Sequence, residues 1–221
     1  MRSWICALAL LLESICGVAA LSCRDKGVHM AESFSAKDDL GCVLQVWAGR
    51  AGSEELEVSY IFTNGSIRTV YLFNKLYTEY SDQGLYVTDP QLVNVVVENG
   101  KVVLSKKIVS VPPRMKVERP NIPCVTKVPA GSNVQEIIRL RLPLKIWTPY
   151  TDDSLPMQPQ PVDKRLYFAI GYFLSTPEGD SMVQTVRTSD GPALYFYPFS
   201  IGSQKILEAG PASFPIPVFT P

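Results

Sequence analysis

The chain predicts an all-β protein, an antiparallel β-sandwich with long, proline-rich loops. Three observations carry that expectation. Short apolar runs alternate with polar residues at period 2 and are separated by turn residues, as half-buried strands require. No segment sustains a helical period. The 18 prolines cluster late and suit loops and strand edges rather than long helices.

Residues 1–22 read as an export leader, with a positive charge at Arg2 and an apolar run from Trp4 to Leu12, broken by Glu13 and followed by small residues. The run is too short to span a bilayer as an ordinary transmembrane helix. An amphipathic helix on a cytosolic protein is the other reading of these residues. Two cleavage points compete. Val18 and Ala20 suit a cut that leaves Leu21 at the N-terminus. A cut before Cys23 resembles a bacterial lipoprotein, in which that cysteine is the lipidated first residue. The resemblance implies a membrane anchor of two or three acyl chains. With Arg24 next, it also implies sorting to the periplasmic side of the outer membrane. A soluble periplasmic or secreted protein is the alternative.

Cys6 and Cys16 leave with the leader, so Cys23, Cys42 and Cys124 remain. If Cys23 is acylated, Cys42 and Cys124 are an even pair in an oxidising space and are expected to form a disulfide. A Cys23–Cys42 bridge, or three plain thiols in a reduced compartment, are the alternatives. Residues 23–41 are polar and read as a tether, and 42–221 as a single domain.

Within that domain the first strand is expected at 42–47 and the next at 56–62, where Leu56, Val58, Tyr60 and Phe62 alternate with polar residues. Asn64-Gly65 then predicts a hairpin into the apolar run at 70–73, because a two-residue turn favours that dipeptide. Residues 72–80 are the best helical candidate and read equally well as strand. The strongest local signal is β-branched arms at 92–98 and 101–108 around Asn99-Gly100, a two-residue hairpin. Residues 120–129 are extended and proline-spaced. Ile138, Leu140 and Leu142 alternate with Arg139 and Arg141, whose charges read as a solvated face. Residues 166–174 are apolar on both faces and predict a central strand, with Gly171 marking a bulge or a close backbone approach. Strands at 182–187 and 193–197 and an extended tail at 214–219 complete the series.

The run from Glu57 to Asn64, followed by Gly65-Ser66, resembles a phrase of bacterial immunoglobulin-like sandwiches, an aromatic-rich strand ending in Thr-Asn and a small-residue turn. Val128-Pro129-Ala130-Gly131-Ser132 ahead of the next strand resembles a second phrase of that group. The bacterial intracellular proteinase inhibitor family has both. The resemblance implies an immunoglobulin-like β-sandwich and carries no inhibitory activity with it.

Composition narrows the function. Net charge is zero, from 21 basic and 21 acidic residues, so bulk electrostatics draws the chain to neither nucleic acid nor anionic membrane. The only histidine, His29, has no nucleophile elbow with it, so no catalytic site is expected. The Glu54-Glu55 and Asp152-Asp153 pairs are adjacent, and adjacent strand residues face opposite ways, so neither is a natural proton-sharing dyad. No metal or cofactor spacing occurs, and none is expected. Asn64-Gly65-Ser66 is formally a glycosylation acceptor, and turn chemistry already accounts for it.

The segment 143–163 is the one long loop that invites a function. Trp147, Tyr150, Asp152 and Asp153 make it a candidate partner-binding loop, since Trp and Tyr anchor interfaces. The other reading has Trp147 capping the open end of the sandwich. The expectation is a non-enzymatic envelope lipoprotein that binds a protein partner, as an inhibitor or immunity protein. A structural or chaperone component of an envelope assembly is the alternative, and a carboxylate-dependent hydrolase the second alternative.

Overall fold

A computed structural model describes residues 31–152, 156, 158, 160–198 and 201–220. Residues 1–22, expected to be an export leader, and Cys23, His29 and Asp153 lie outside the described residues.

The chain is all-β, in antiparallel-rich sheets that do not close into a barrel. A four-stranded sheet takes the order β1 (Glu32–Lys37), β2 (Val43–Arg50), β3 (Glu55–Thr63) and β10 (Asn133–Arg141). The larger sheet contains β4 (Val70–Lys75), β5 (Tyr77–Tyr80), β6 (Tyr86–Thr88), β7 (Asn94–Glu98), β8 (Lys101–Lys106) and β9 (Cys124–Val128). It is completed by β11 (Leu144–Lys145), β12 (Val162–Leu174), β13 (Val183–Thr188), β14 (Gly191–Phe196), β15 (Lys205–Ala209) and β16 (Pro215–Phe219). The one α-helix among the described residues, α1 (Pro177–Met182), is capped by the Thr176 hydroxyl, which accepts from the Gly179 N–H at 2.9 Å.

Alternation explains how two cores share one set of strands. Along β4, Val70 and Leu72 enter the first core while Tyr71 and Phe73 enter the second. Along β12, Phe168, Ile170 and Tyr172 face the first core and Phe173 the second. The four-stranded sheet closes the first core, where Tyr60 meets Phe168 with ring centroids 4.9 Å apart and Phe62 meets Tyr172 at 5.5 Å. The second core lies on the other face of these strands, where β9 is joined to β14 by the pair Val125 and Leu194. Phe196 of β14 then reaches Phe173 of β12 at 4.7 Å. A pattern of apolar residues on both faces therefore means two cores here.

The Asn99-Gly100 hairpin forms between β7 and β8, with both residues at positive φ as its turn demands. Gly171 marks a close approach, since a Cβ there would stand 2.8 Å from the Lys107 Cβ. Arg139 lies on the outer face and pairs across strands with Glu57 at 2.9 Å. The 72–80 segment is strand.

Several expectations are corrected. Asn64-Gly65 makes no hairpin, and β3 and β4 lie in different sheets. The Asn64 side chain is buried, donating to the carbonyls of Arg68 and Val128 at 2.8 and 2.9 Å and accepting from the Ser66 N–H at 3.0 Å. Those bonds turn the chain out of one sheet and into the other, and they leave the sequon's acceptor nitrogen engaged. The polar lead-in is strand from Glu32 onward, because Phe34 and Ala36 pack against the first core. Pairing is mixed, since β8 runs parallel to β12. The 143–163 loop is not structureless, as β11 pairs with β16 and Trp147 bridges to Val95.

The expected Cys42–Cys124 disulfide is also absent, and both are buried free thiols. Cys42 sits in the first core and Cys124 in the second. Burial pushes both thiols up, Cys124 from the ordinary 9.0 to about 12. A thiol whose folded pKa is raised adds stability that is full below its unfolded pKa and lost as pH rises through the folded one. Stability should therefore fall between pH 9.0 and about 12. At about pH 8, where an ordinary thiol begins to ionise, both should resist alkylation until the protein is unfolded. Rapid alkylation of the native protein would contradict this.

Candidate partner-binding surface

Tyrosines link the second core to the surface. Residues 77 and 80 of an unbroken strand would face opposite ways. A register shift between Tyr77 and Glu79 bends β5, and both tyrosines then meet Tyr86 of β6, at 4.9 and 4.8 Å between ring centroids. Tyr86 continues to Tyr195 of β14 at 5.1 Å, and Tyr195 stacks on Tyr197 at 6.3 Å. Tyr77, Tyr86 and Tyr195 are buried, whereas Tyr80 is 53% and Tyr197 41% exposed. Burial pushes the three inner hydroxyls up, so they remain neutral phenols.

Arg119 completes the surface. It lies in the irregular segment between β8 and β9, which turns at Pro112–Met115, where the Met115 N–H donates to the Pro112 carbonyl at 2.9 Å, and bends again at Arg119. Its guanidinium carbon lies 5.9 Å from the Tyr80 ring centre and 5.3 Å from that of Tyr197. Each such contact contributes about 0.5–1 kcal/mol at an exposed site. Met115 and Val117 are exposed on the same segment. The arrangement is a pre-ordered cluster of two open rings, a cation between them and apolar side chains nearby.

The residues expected to form the partner-binding loop are placed differently. Trp147 is half-buried, and its backbone exchanges hydrogen bonds of 2.7 and 3.0 Å with Val95. Tyr150 is buried, and its hydroxyl accepts from the Asn121 N–H at 2.7 Å. Asp152 is exposed. Tyr150 is thus a strut that ties this loop to the segment carrying Arg119, two residues from it. Trp147, Tyr150 and Asp152 do not share one exposed patch. Sequence reasoning missed the tyrosine cluster because Tyr77, Tyr80 and Tyr86 carry no alternating pattern once the bulge intervenes.

One buried ionic cluster was also not anticipated. The Lys106 ammonium is fully buried and lies 2.7 Å from the Glu136 carboxylate. Glu136 also accepts from the Tyr60 hydroxyl and the Asn74 amide, each at 2.6 Å. Lys106 donates further to the Pro90 carbonyl at 2.9 Å. The cluster joins β3 and β10 of the small sheet to β4 and β8 of the large one. It holds a single carboxylate, and its hydrogen bonds suit a cross-link between sheets. No group of three or more His, Cys, Asp or Glu residues among the described residues could hold a metal ion.

No protein-family model matches the chain, and no curated protein and no solved structure matches it.

Proposed function

We propose that this protein is a non-enzymatic binding protein of the cell envelope that engages a protein partner through Tyr80, Arg119 and Tyr197. The carrying observation is the guanidinium held between two exposed tyrosine rings. Tyr and Arg dominate binding hot spots, and a surface ordered before binding loses less entropy on association. The envelope location is supported by the leader pattern of residues 1–22 and by Cys23 as an acyl acceptor. Acylation would remove the odd thiol, and burial shields the other two from oxidant. The immunoglobulin-like reading is supported by the first core, where β2, β3 and β10 face β4, β9 and β12. Blocking another protein, as an inhibitor or immunity protein does, is the action we assign to this pre-ordered, cation-bearing surface.

The test is capture of partners from an envelope fraction on immobilised protein, with the triple variant Tyr80→Ala, Arg119→Ala and Tyr197→Ala in parallel. A protein retained by the wild type and lost from the folded triple variant is expected. Equal retention by both would overturn the proposed surface.

A further inference from the structure

A second feature lies where β12, α1, β14 and β15 meet. A cavity of about 440 Å³ opens there, within the rough 300–1,000 Å³ range of small-molecule sites. Phe173, Leu174, Met182 and Phe196 supply its apolar lining. Arg68 and Lys205 also line it, and among the described residues no acidic side chain does. Arg68 is anchored by donating to the Ser175 carbonyl. Among the described residues, neither cation forms an ion pair. The nearby carboxylate of Asp180 accepts from the Ser175 hydroxyl at 2.7 Å.

One residue of the cavity wall, and two sequence neighbours of its lining cations, are exposed and apolar. Met182 in its wall is 43% exposed, Ile67 beside Arg68 is 96% exposed, and Ile206 beside Lys205 is 46% exposed. Large apolar side chains left in water beside cations have an obvious energetic use if an amphiphilic anion covers them.

We propose that this cavity binds a single-chain amphiphile with a carboxylate head, the chemistry of a free long-chain fatty acid. The carboxylate sits against Arg68 and Lys205, and the chain lies on Phe173, Phe196 and Leu174 and leaves past Met182. Two cations and two aromatic side chains among the lining residues match one charged head and one chain. The site is independent of the tyrosine–arginine surface, although Tyr197 adjoins the lining residues Phe196 and Pro198.

The test is calorimetric titration of purified protein with dodecanoate below its micelle concentration. Dodecanol supplies the chain without the charge, acetate the charge without the chain, and a short peptide ending in Leu-carboxylate a rival occupant. Saturable single-site binding of dodecanoate is expected. The Arg68→Gln/Lys205→Gln variant should weaken it about tenfold or more, the scale of charge-assisted hydrogen bonds. Dodecanol and acetate should bind far more weakly. Both substituted residues are exposed, so the variant should fold, which circular dichroism checks. Met182→Asp, which places a carboxylate in the wall, should also abolish binding. Absence of saturable binding, undiminished affinity in the double variant, or binding of the peptide in preference to dodecanoate would each overturn the proposal.

Discussion

Glu136→Gln is expected to destabilise the protein by roughly 3–5 kcal/mol, the usual cost of breaking a buried ion pair on one side. The substitution keeps the shape, removes the charge and turns one of the two acceptor oxygens into a donor NH2. Lys106 would then hold its ammonium with 0% side-chain exposure and no counter-ion, against 2.7 Å from one now. The Pro90 carbonyl and the glutamine's own amide oxygen would remain, and neutral carbonyls compensate a buried cation poorly. Glu136 keeps 21% side-chain exposure, so water offsets part of the loss and places the effect near the lower bound. Urea unfolding curves measure it. Lys106→Met added to Glu136→Gln should recover at least about 1 kcal/mol, because it removes the stranded charge. A loss below about 1 kcal/mol for Glu136→Gln, or no recovery in the double variant, would show that the pair is not what holds the ammonium.

Phe73→Ala should cost about 3–5 kcal/mol, the range for emptying a buried aromatic site. Phe73 is fully buried in the second core and meets Phe173 at 5.5 Å. Its neighbour Leu72 is equally buried in the first core. The two substitutions therefore probe opposite faces of one strand. Hydrogen exchange should accelerate most in β5, β6 and β14 for Phe73→Ala, and in β2 and β3 for Leu72→Ala. A cost below about 1 kcal/mol for Phe73→Ala would mean that the second core packs too loosely to stabilise the fold.

The strands were legible wherever one face is wet. Residues 56–62 alternate cleanly, and β3 buries Leu56, Val58, Tyr60 and Phe62. The Asn99-Gly100 turn was legible because positive φ at both positions is a local demand. Asn64-Gly65 misled because the same dipeptide can also make side-chain bonds to distant carbonyls, and those depend on Val128, far along the chain. The second core was hidden in β12 and β4, where doubly apolar strands suggest a buried sheet without saying what covers each face. That gap also defeated the disulfide argument, since cysteine parity is blind to which core a thiol enters. Thr176-Pro177 is a readable helix start, a hydroxyl cap followed by proline at the first helical position. Of the candidate surface, sequence reading found Tyr150 by its type and mistook its role, because only the fold brings it to Asn121.

The most direct test of the binding account is an alanine scan by calorimetry against the partner retained from the envelope fraction. Arg119→Ala and Tyr197→Ala should each weaken binding by about 2 kcal/mol or more, the hot-spot range. Their thermal midpoints should stay near that of the wild type, as exposed side chains permit. Trp147→Ala should leave the affinity within about 0.5 kcal/mol and lower stability instead, since Trp147 is half-buried at a backbone bridge. The reverse pattern, with affinity lost at Trp147 and kept at Arg119 and Tyr197, would contradict the account.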